Sequence, residues 1–373
     1  MTIEETMATQ RAFFRKNETL PLSFRMDALN RLHRSILNHE KDINAALYAD
    51  LNKSPAESYM CEVGMTLSEL SYVKKHLPRW LKDRRAATPL AQFHAKSYAV
   101  SQPYGVVLIM SPWNYPFMLT LDPLIGAIAA GNCCVVKPSA YSPATSAVIR
   151  TIISECFPPE YITVVEGGRA ENKALLDQVF DYIFFTGGVT VGKEVMEKAA
   201  KHLTPVTLEL GGKSPCIVDH TAKLDLAAKR LVFGKFLNCG QTCVAPDYLL
   251  VERSVQDELI AAIRKWIGIM YGENAPQNDA YVKMINQKHF DRVCGLIDPS
   301  KVVIGGGSDP DSLKIQPTVM DHVTGEDAVM QEEIFGPVLP VLTFDTIDEA
   351  EDFVRDRPSP LALYLFTEDK AVK

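Results

Sequence analysis

Val106-Val107-Leu108-Ile109-Met110-Ser111-Pro112-Trp113-Asn114-Tyr115-Pro116 is a short apolar, β-branched run that stops at a turn stiffened by two prolines. Similar runs follow at 133–136, 162–165 and 182–185, separated by helix-length segments at 116–130, 144–157 and 172–180. Strands spaced by crossovers of that length predict a parallel sheet with helices packed on it. A further run, 205–210, ends in Glu209-Leu210-Gly211-Gly212, where the glycines break the strand. A second alternating series then begins, with strands predicted at 216–218, 248–251, 302–304 and 338–344 and helices at 224–237, 255–270 and 347–354. The chain reads as two α/β units joined near Gly211, closing with a strand-like 361–366 and a helix starting at Glu368.

On the other side of the opening run, residues 84–104 alternate through Phe93, Ala95, Ser97 and Ala99, as a hairpin or extended ribbon does. Earlier still, Leu22, Met26, Leu29, Leu32, Ile36, Ile43, Leu47 and Leu51 recur at helical spacing and predict one amphipathic helix. Pro55 separates it from a second stripe, Tyr59, Val63, Leu67, Leu70, Val73 and Leu77, which stops at Pro78. Both stripes are read as core.

A chain of 373 residues exceeds one ordinary core, and two domains are expected. An apolar share of 47% with 23% charged residues describes a globular protein. The net charge of −7 comes from 46 acidic against 39 basic residues, without a basic block to track a phosphate backbone, which argues against a nucleic-acid partner. Met1-Thr2-Ile3-Glu4-Glu5-Thr6 lacks the regions of a secretory signal, and the longest apolar stretch, 124–130, is too short to span a bilayer. The eight cysteines and eight histidines form no paired CxxC sets, which argues against a metal site or a disulfide framework and fits a reducing cytoplasm.

Several segments carry residues suited to chemistry. In Leu237-Asn238-Cys239-Gly240-Gln241-Thr242-Cys243-Val244-Ala245-Pro246, a glycine sets the thiol in a backbone bend rather than a packed helix. A thiolate there is reachable, and nearby N–H groups can hold the oxyanion formed once sulfur attacks a carbonyl. Cys243 is therefore the candidate nucleophile; the alternative is an inert buried cysteine. Phe185-Thr186-Gly187-Gly188-Val189-Thr190-Val191-Gly192 closes a strand and opens a helix, either as a phosphate-binding turn or as a plain one, since the spacing is not GxGxxG. Lys137 ends another strand of the same sheet, where it either holds ribose hydroxyls or a phosphate or is simply solvated. Asn114 is either an oxyanion donor or a turn-forming asparagine. Glu209 is either a base or one more exposed carboxylate.

Taken together these segments closely resemble the aldehyde dehydrogenase superfamily, in particular its class three branch of fatty and aromatic aldehyde dehydrogenases. The likeness runs over the whole chain and rests on Ser-Pro-Trp-Asn-Tyr-Pro at 111–116, Lys-Pro-Ser at 137–139, Phe-Thr-Gly-Gly at 185–188, Leu-Glu-Leu-Gly-Gly-Lys-Ser-Pro at 208–215, Gly-Gln-Thr-Cys-Val-Ala-Pro-Asp-Tyr at 240–248 and Glu-Glu-Ile-Phe-Gly-Pro at 332–337. The resemblance implies two doubly wound α/β domains: a cofactor domain over 1–84 and 105–209, and a catalytic domain over 210–373. Between the two parts of the cofactor domain it implies a bridging ribbon, 85–104, that pairs two subunits. It makes Cys243 the nucleophile, Asn114 and the Cys243 N–H the oxyanion donors, and Glu209 the base that activates water. It places NAD or NADP against Trp113, Lys137, Gly187, Gly188, Gly192, Glu333 and Phe335. The implied reaction is oxidation of medium-chain aliphatic or aromatic aldehydes in a cytoplasmic homodimer.

Three departures bear on those expectations. Ala140 stands where many relatives carry a glutamate that repels a 2′-phosphate, so NADP is expected to be tolerated beside NAD. Gly188 replaces the usual Ser or Asn of the diphosphate turn, which removes one hydrogen bond to the cofactor. Relatives continue for several tens of residues past Lys373, sometimes into a membrane-anchoring helix, and the chain is expected to be a fragment with an incomplete catalytic domain. Two competing functions remain at this stage. A coenzyme A-acylating dehydrogenase is opposed by Glu209, and a truncated noncatalytic NAD-binding protein is opposed by Asn114, Glu209 and Cys243.

Overall fold

The computed structural model describes residues 1–373 and divides into two compact units, Met1–Asp50 with Pro55–Glu209 and Leu51–Ser54 with Leu210–Lys373. In the first, a ribbon of β1 (Arg84–Ala86) and β2 (Ser97–Ala99) pairs antiparallel, with Arg85 opposite Tyr98. The alternation seen from Phe93 onward becomes strand only at Ser97, because a 3₁₀ turn at Leu90–Gln92 and a left-handed His94 (φ 78°) intervene.

The main sheet of this unit contains β3 (Val106–Met110), β4 (Cys133–Lys137), β5 (Ile162–Val164), β6 (Tyr182–Gly187) and β7 (Val206–Leu210), in the order β5-β4-β3-β6-β7. β4 pairs parallel with both β3 and β5, and β6 pairs parallel with β3. Counted along the chain the order is 3-2-1-4-5, the doubly wound pattern whose direction reverses between the first strand and the fourth. Every residue of β3 and β4 is buried, as expected of central parallel strands covered by helices. Helix Ile3–Phe14 lies on these two strands, and Gly64–Trp80 packs on Met118–Ala130.

The helical boundaries depart from the periodicity in three places. The single helix predicted over 22–51 is two, Leu22–Asn38 and Glu40–Leu51. His39 (φ −99°, ψ 13°) breaks it for one residue, and the apolar spacing across the break stays helical, so the stripe conceals it. The second helix runs past Pro78 to Trp80, since proline's fixed φ suits a last turn and deprives only the Lys74 carbonyl of a partner. Tyr59 leaves the core stripe and is 52% exposed, because Tyr59–Val63 is a π-helical turn that shifts the phase of the face.

The second unit holds a six-stranded sheet, a small hairpin and its own core. Its strands are β8 (Pro215–Val218), β9 (Tyr248–Glu252), β10 (Val302–Ile304), β13 (Thr318–Met320), β14 (Val338–Phe344) and β15 (Tyr364–Phe366), and β11 (Ser308–Asp309) with β12 (Lys314–Ile315) makes the hairpin. The order is β10-β13-β14-β9-β8-β15, parallel except where β10 meets β13. Helices Leu224–Phe236 and Gln256–Tyr271 bury Leu231, Val232, Leu259 and Ile263 against β8 and β9. β13 is absent from the sequence reading because it is three residues between Pro317 and Asp321. The helix expected at Glu368 is absent, and residues 370–372 form a turn. Leu51–Ser54 is stitched to this unit: Leu51 O accepts Lys283 N–H at 3.0 Å, and Asn52 Nδ2 donates to Asp279 O at 2.9 Å and Tyr281 O at 3.0 Å. No helix is long and apolar enough to cross a membrane.

Candidate active site

In the first unit the register of the sheet aligns the strand ends. Met110 pairs with Lys137 on one side and Phe185 on the other, and Ser111 N–H continues the ladder to Lys137 O at 3.1 Å. Trp113 and Asn114 after β3, Lys137 at the end of β4, and Gly187 and Gly188 after β6 therefore share the carboxyl edge of the sheet. That edge, at the reversal of strand order, is where open α/β folds bind ligands. Asn114 is buried and Trp113 half-buried. Lys137 is only 3% exposed and its Nζ donates to Pro138 O at 2.8 Å, which removes the solvated-lysine alternative. Burial lowers its pKa, and the carboxylates of Glu171 and Glu166 pull the other way. Ala140 is exposed beside it.

The helices that follow these strands differ at their starts. Met118–Ala130 is covered by Glu62, and Pro143–Cys156 by Asp50, which accepts Ala144 N–H at 3.2 Å and Thr145 N–H at 2.8 Å. Arg169–Leu176 uses its own Glu171, which accepts Gly168 N–H at 2.7 Å. Val189–Ala200 begins at Gly188 with no side-chain cap, and Gly192 is buried in its first turn. Its leading N–H groups and positive dipole end suit a diphosphate. A Cβ on Gly187 would meet the Phe185 ring at 2.6 Å, so any larger residue there would have to displace that ring. The residues present therefore fit a dinucleotide. Glu209, the penultimate residue of β7, is exposed.

In the second unit, the segment before Cys243 is a tight bend. Asn238 (φ 53°), Cys239 (φ 54°) and Gly240 (φ 71°) are left-handed in succession. Two non-glycine residues there cost ~1–2 kcal/mol each, and hydrogen bonds hold them. Asn238 Nδ2 donates to Gln241 O at 3.0 Å, while Gln241 Nε2 donates to Asn238 O at 3.0 Å and Lys283 O at 3.1 Å and its Oε1 accepts Ile285 N–H at 3.0 Å. Cys239 is fully buried, 3.6 Å from the Tyr281 hydroxyl, whereas Cys243 is partly exposed. Burial pushes the Cys133 thiol up to about 12 and raises Cys134 and Cys216 as well, so these are packing residues. An apolar pocket of about 450 Å³ adjoins the segment that carries Cys243, lined by Leu231, Leu237, Thr242, Val244, Tyr364 and Phe366 among others.

Glu333 and Phe335 sit on a pinned loop of the same unit. Lys213 Nζ pairs with Asp247 and donates to Val329 O at 2.9 Å and Glu332 O at 3.0 Å, while Asp247 Oδ1 accepts Ile334 N–H at 2.9 Å. Arg292 donates to the Glu332 carboxylate at 2.9 Å and to Ile334 O at 2.6 Å. Burial, aided by Asp247, pushes Glu333 up to about 7 against the pull of the Gly212 N–H and of Lys235 and Lys213. Phe335 is left-handed (φ 47°), a strain typical of functional loops. Lys213, Asp247 and Arg292 escaped the sequence reading. The first two lie inside quoted motifs, but nothing in spacing shows that they grip a loop more than eighty residues on.

This chain belongs to the aldehyde dehydrogenase family, whose profile matches residues 1–372. It is 49% identical over 370 residues to the 4,4′-diaponeurosporen-aldehyde dehydrogenase of Staphylococcus aureus, covering 99% of this chain and 81% of that one. It is 45% identical over 373 residues to the dimeric NADP-preferring aldehyde dehydrogenase of Canis lupus familiaris, covering 100% and 82%. Among solved structures, the substrate-bound state of Staphylococcus aureus AldH superposes with a TM-score of 0.98 at 48% identity, covering 100% and 82%. The indole-3-acetaldehyde dehydrogenase AldA of P. syringae, bound to NAD+ and IAA, gives 0.90 at 28%, covering 99% and 77%. The protein is an aldehyde dehydrogenase with the two α/β units and small ribbon expected of that fold.

Proposed function

We propose that this enzyme oxidises medium-chain aliphatic or aromatic aldehydes to carboxylic acids with NAD or NADP. The observation that carries the cofactor half is the aligned carboxyl edge of β3, β4 and β6 ending at the side-chain-uncapped helix Val189–Ala200. Trp113, Lys137, Gly187, Gly188 and Gly192 would hold the adenosine and diphosphate end, and Glu333 and Phe335 the nicotinamide riboside. Residues 1–50, 55–84 and 105–209 then form the cofactor domain, and 51–54, expected in that domain, go instead with 210–373 in the catalytic domain. A bound nicotinamide would supply hydride acceptance. Among the chain's own groups, the Cys243 thiolate adds to the carbonyl carbon and forms a thiohemiacetal. The Asn114 amide and Cys243 N–H donate to its oxyanion, and Glu209 takes a proton from the water that hydrolyses the thioester. The apolar pocket beside Thr242 and Val244 supports an apolar substrate chain. Residues 85–104 would pair two copies in a cytoplasmic homodimer.

The test is reduced-cofactor formation with octanal or benzaldehyde, with NAD and NADP compared and Cys243→Ser alongside. Turnover should vanish in the variant. NADP should serve within roughly a hundredfold of NAD, about 2.7 kcal/mol, because the exposed Ala140 leaves room for a 2′-phosphate. A larger preference for NAD overturns the Ala140 argument. Turnover that requires free coenzyme A revives the acylating alternative, and cofactor binding without turnover revives the noncatalytic one.

A further inference from the structure

The loop carrying Trp113 and Asn114 runs directly into a helix. Its first turn closes with Leu119 N–H on Tyr115 O at 3.0 Å, so the opening N–H groups are those of Phe117 and Met118, Pro116 having none. Helices usually cover such groups with a Ser, Thr, Asp or Asn of their own. Here Phe117 occupies that place, and no side-chain cap is made there. The cover comes from 55 residues earlier: Glu62 Oε2 accepts Phe117 N–H at 2.9 Å and Met118 N–H at 3.0 Å.

Glu62 reaches them because of the π-helical turn Tyr59–Val63. The extra residue in that turn rotates Tyr59 outward and leaves Glu62 with no exposed surface. Gly64 permits the turn, since a Cβ there would lie 2.7 Å from Tyr59 O. A carboxylate so buried is costly unless it is bonded. The two N–H groups and the positive end of the helix offset that cost.

We infer that Glu62 is a positioning residue for the reaction. It pins the helix start from outside, so that the backbone three residues earlier, which presents the Asn114 amide, keeps its place. This inference rests on the reading of Asn114 as an oxyanion donor.

The experiment uses the full chain with Glu62→Asp, Glu62→Gln, Asn114→Ala and the Glu62→Asp/Asn114→Ala double variant. It measures kcat with octanal, NAD affinity by fluorescence titration, and unfolding in urea. Glu62→Asp keeps the charge but shortens the reach, and kcat should fall by about 10- to 100-fold, as for a misplacement near 1 Å, with NAD affinity unchanged within about twofold. Glu62→Gln loses the charge but keeps an oxygen able to accept both N–H groups, and should retain most of kcat. In the Asn114→Ala background, Glu62→Asp should cost less than about a further twofold. The inference is overturned if Glu62→Asp leaves kcat intact, if Glu62→Gln loses as much as Glu62→Asp, or if the loss is equal in both backgrounds. If Asn114→Ala alone leaves kcat intact, the oxyanion reading fails visibly on its own, and the inference falls with it.

Discussion

Asp122 lies one helical turn beyond the N–H groups that Glu62 holds, and burial, with Glu69 and Glu62 nearby, pushes its carboxyl up to about 7 from 3.8. The native state therefore keeps a proton that the unfolded chain has released over that interval. Stability contributed at this site is present at low pH and falls as pH rises from about 4 to about 7. Asp122→Asn removes the titration, so urea unfolding should find the variant more stable relative to the parent at pH 8 than at pH 5, with the advantage gone only near pH 4; equal differences at pH 8 and pH 5 would refute the assignment. The sequence showed an aspartate inside an apolar helix but not the acidic neighbours, which come from a helix more than fifty residues away. The bend before Cys243 and the strand end at Lys137 were legible for the opposite reason, since both are local features. The pinning of Glu333 by Lys213, Asp247 and Arg292 was not, because it exists only after the strands have paired.

At the level of elements, β3, β10 and β14 follow the predicted bounds, and β4 and β9 each extend one residue further. Short strands and sharp bends were harder: β13 has three residues, and the break at His39 leaves the apolar stripe undisturbed. Two glycines at bends separate conformational need from mere custom. Gly240 is left-handed, and a Cβ there would lie 2.3 Å from Gly336 O. Gly240→Ala should lower stability by about 2–4 kcal/mol, combining the left-handed penalty with overpacking. Gly188 has ordinary dihedrals (φ −72°, ψ 150°) and open space where a Cβ would go. Gly188→Ser should instead add a cap to Val189–Ala200 and raise stability by a few tenths of a kcal/mol. Urea unfolding of the two variants side by side checks the contrast, and similar losses in both would mean the turn is tighter than its geometry indicates.

For the molecule as a whole, each unit repeats a strand–helix rhythm along the sequence, and the division after Glu209 falls beside the Gly211–Gly212 pair. The sequence did not disclose that Leu51–Ser54 joins the later unit, since those residues look like an ordinary link between helices. The ribbon carries the most exposed large apolar side chains of its region, Leu90 at 88% and Phe93 at 75%. If residues 85–104 pair two copies, Leu90→Glu with Phe93→Glu should convert a sedimenting dimer to a folded monomer. A parent that sediments as a monomer, or a variant that remains dimeric, rules out that pairing. The loaned segment Leu51–Ser54 has its own consequence during synthesis. Asn52 bonds to carbonyls 227 and 229 residues further along, so at ~5–20 residues per second a ribosome leaves it waiting roughly ten to fifty seconds for them. The nascent amino-terminal half must keep this peptide available throughout that delay, and a gene split between codons 209 and 210 would leave the later half without four residues it needs to finish folding.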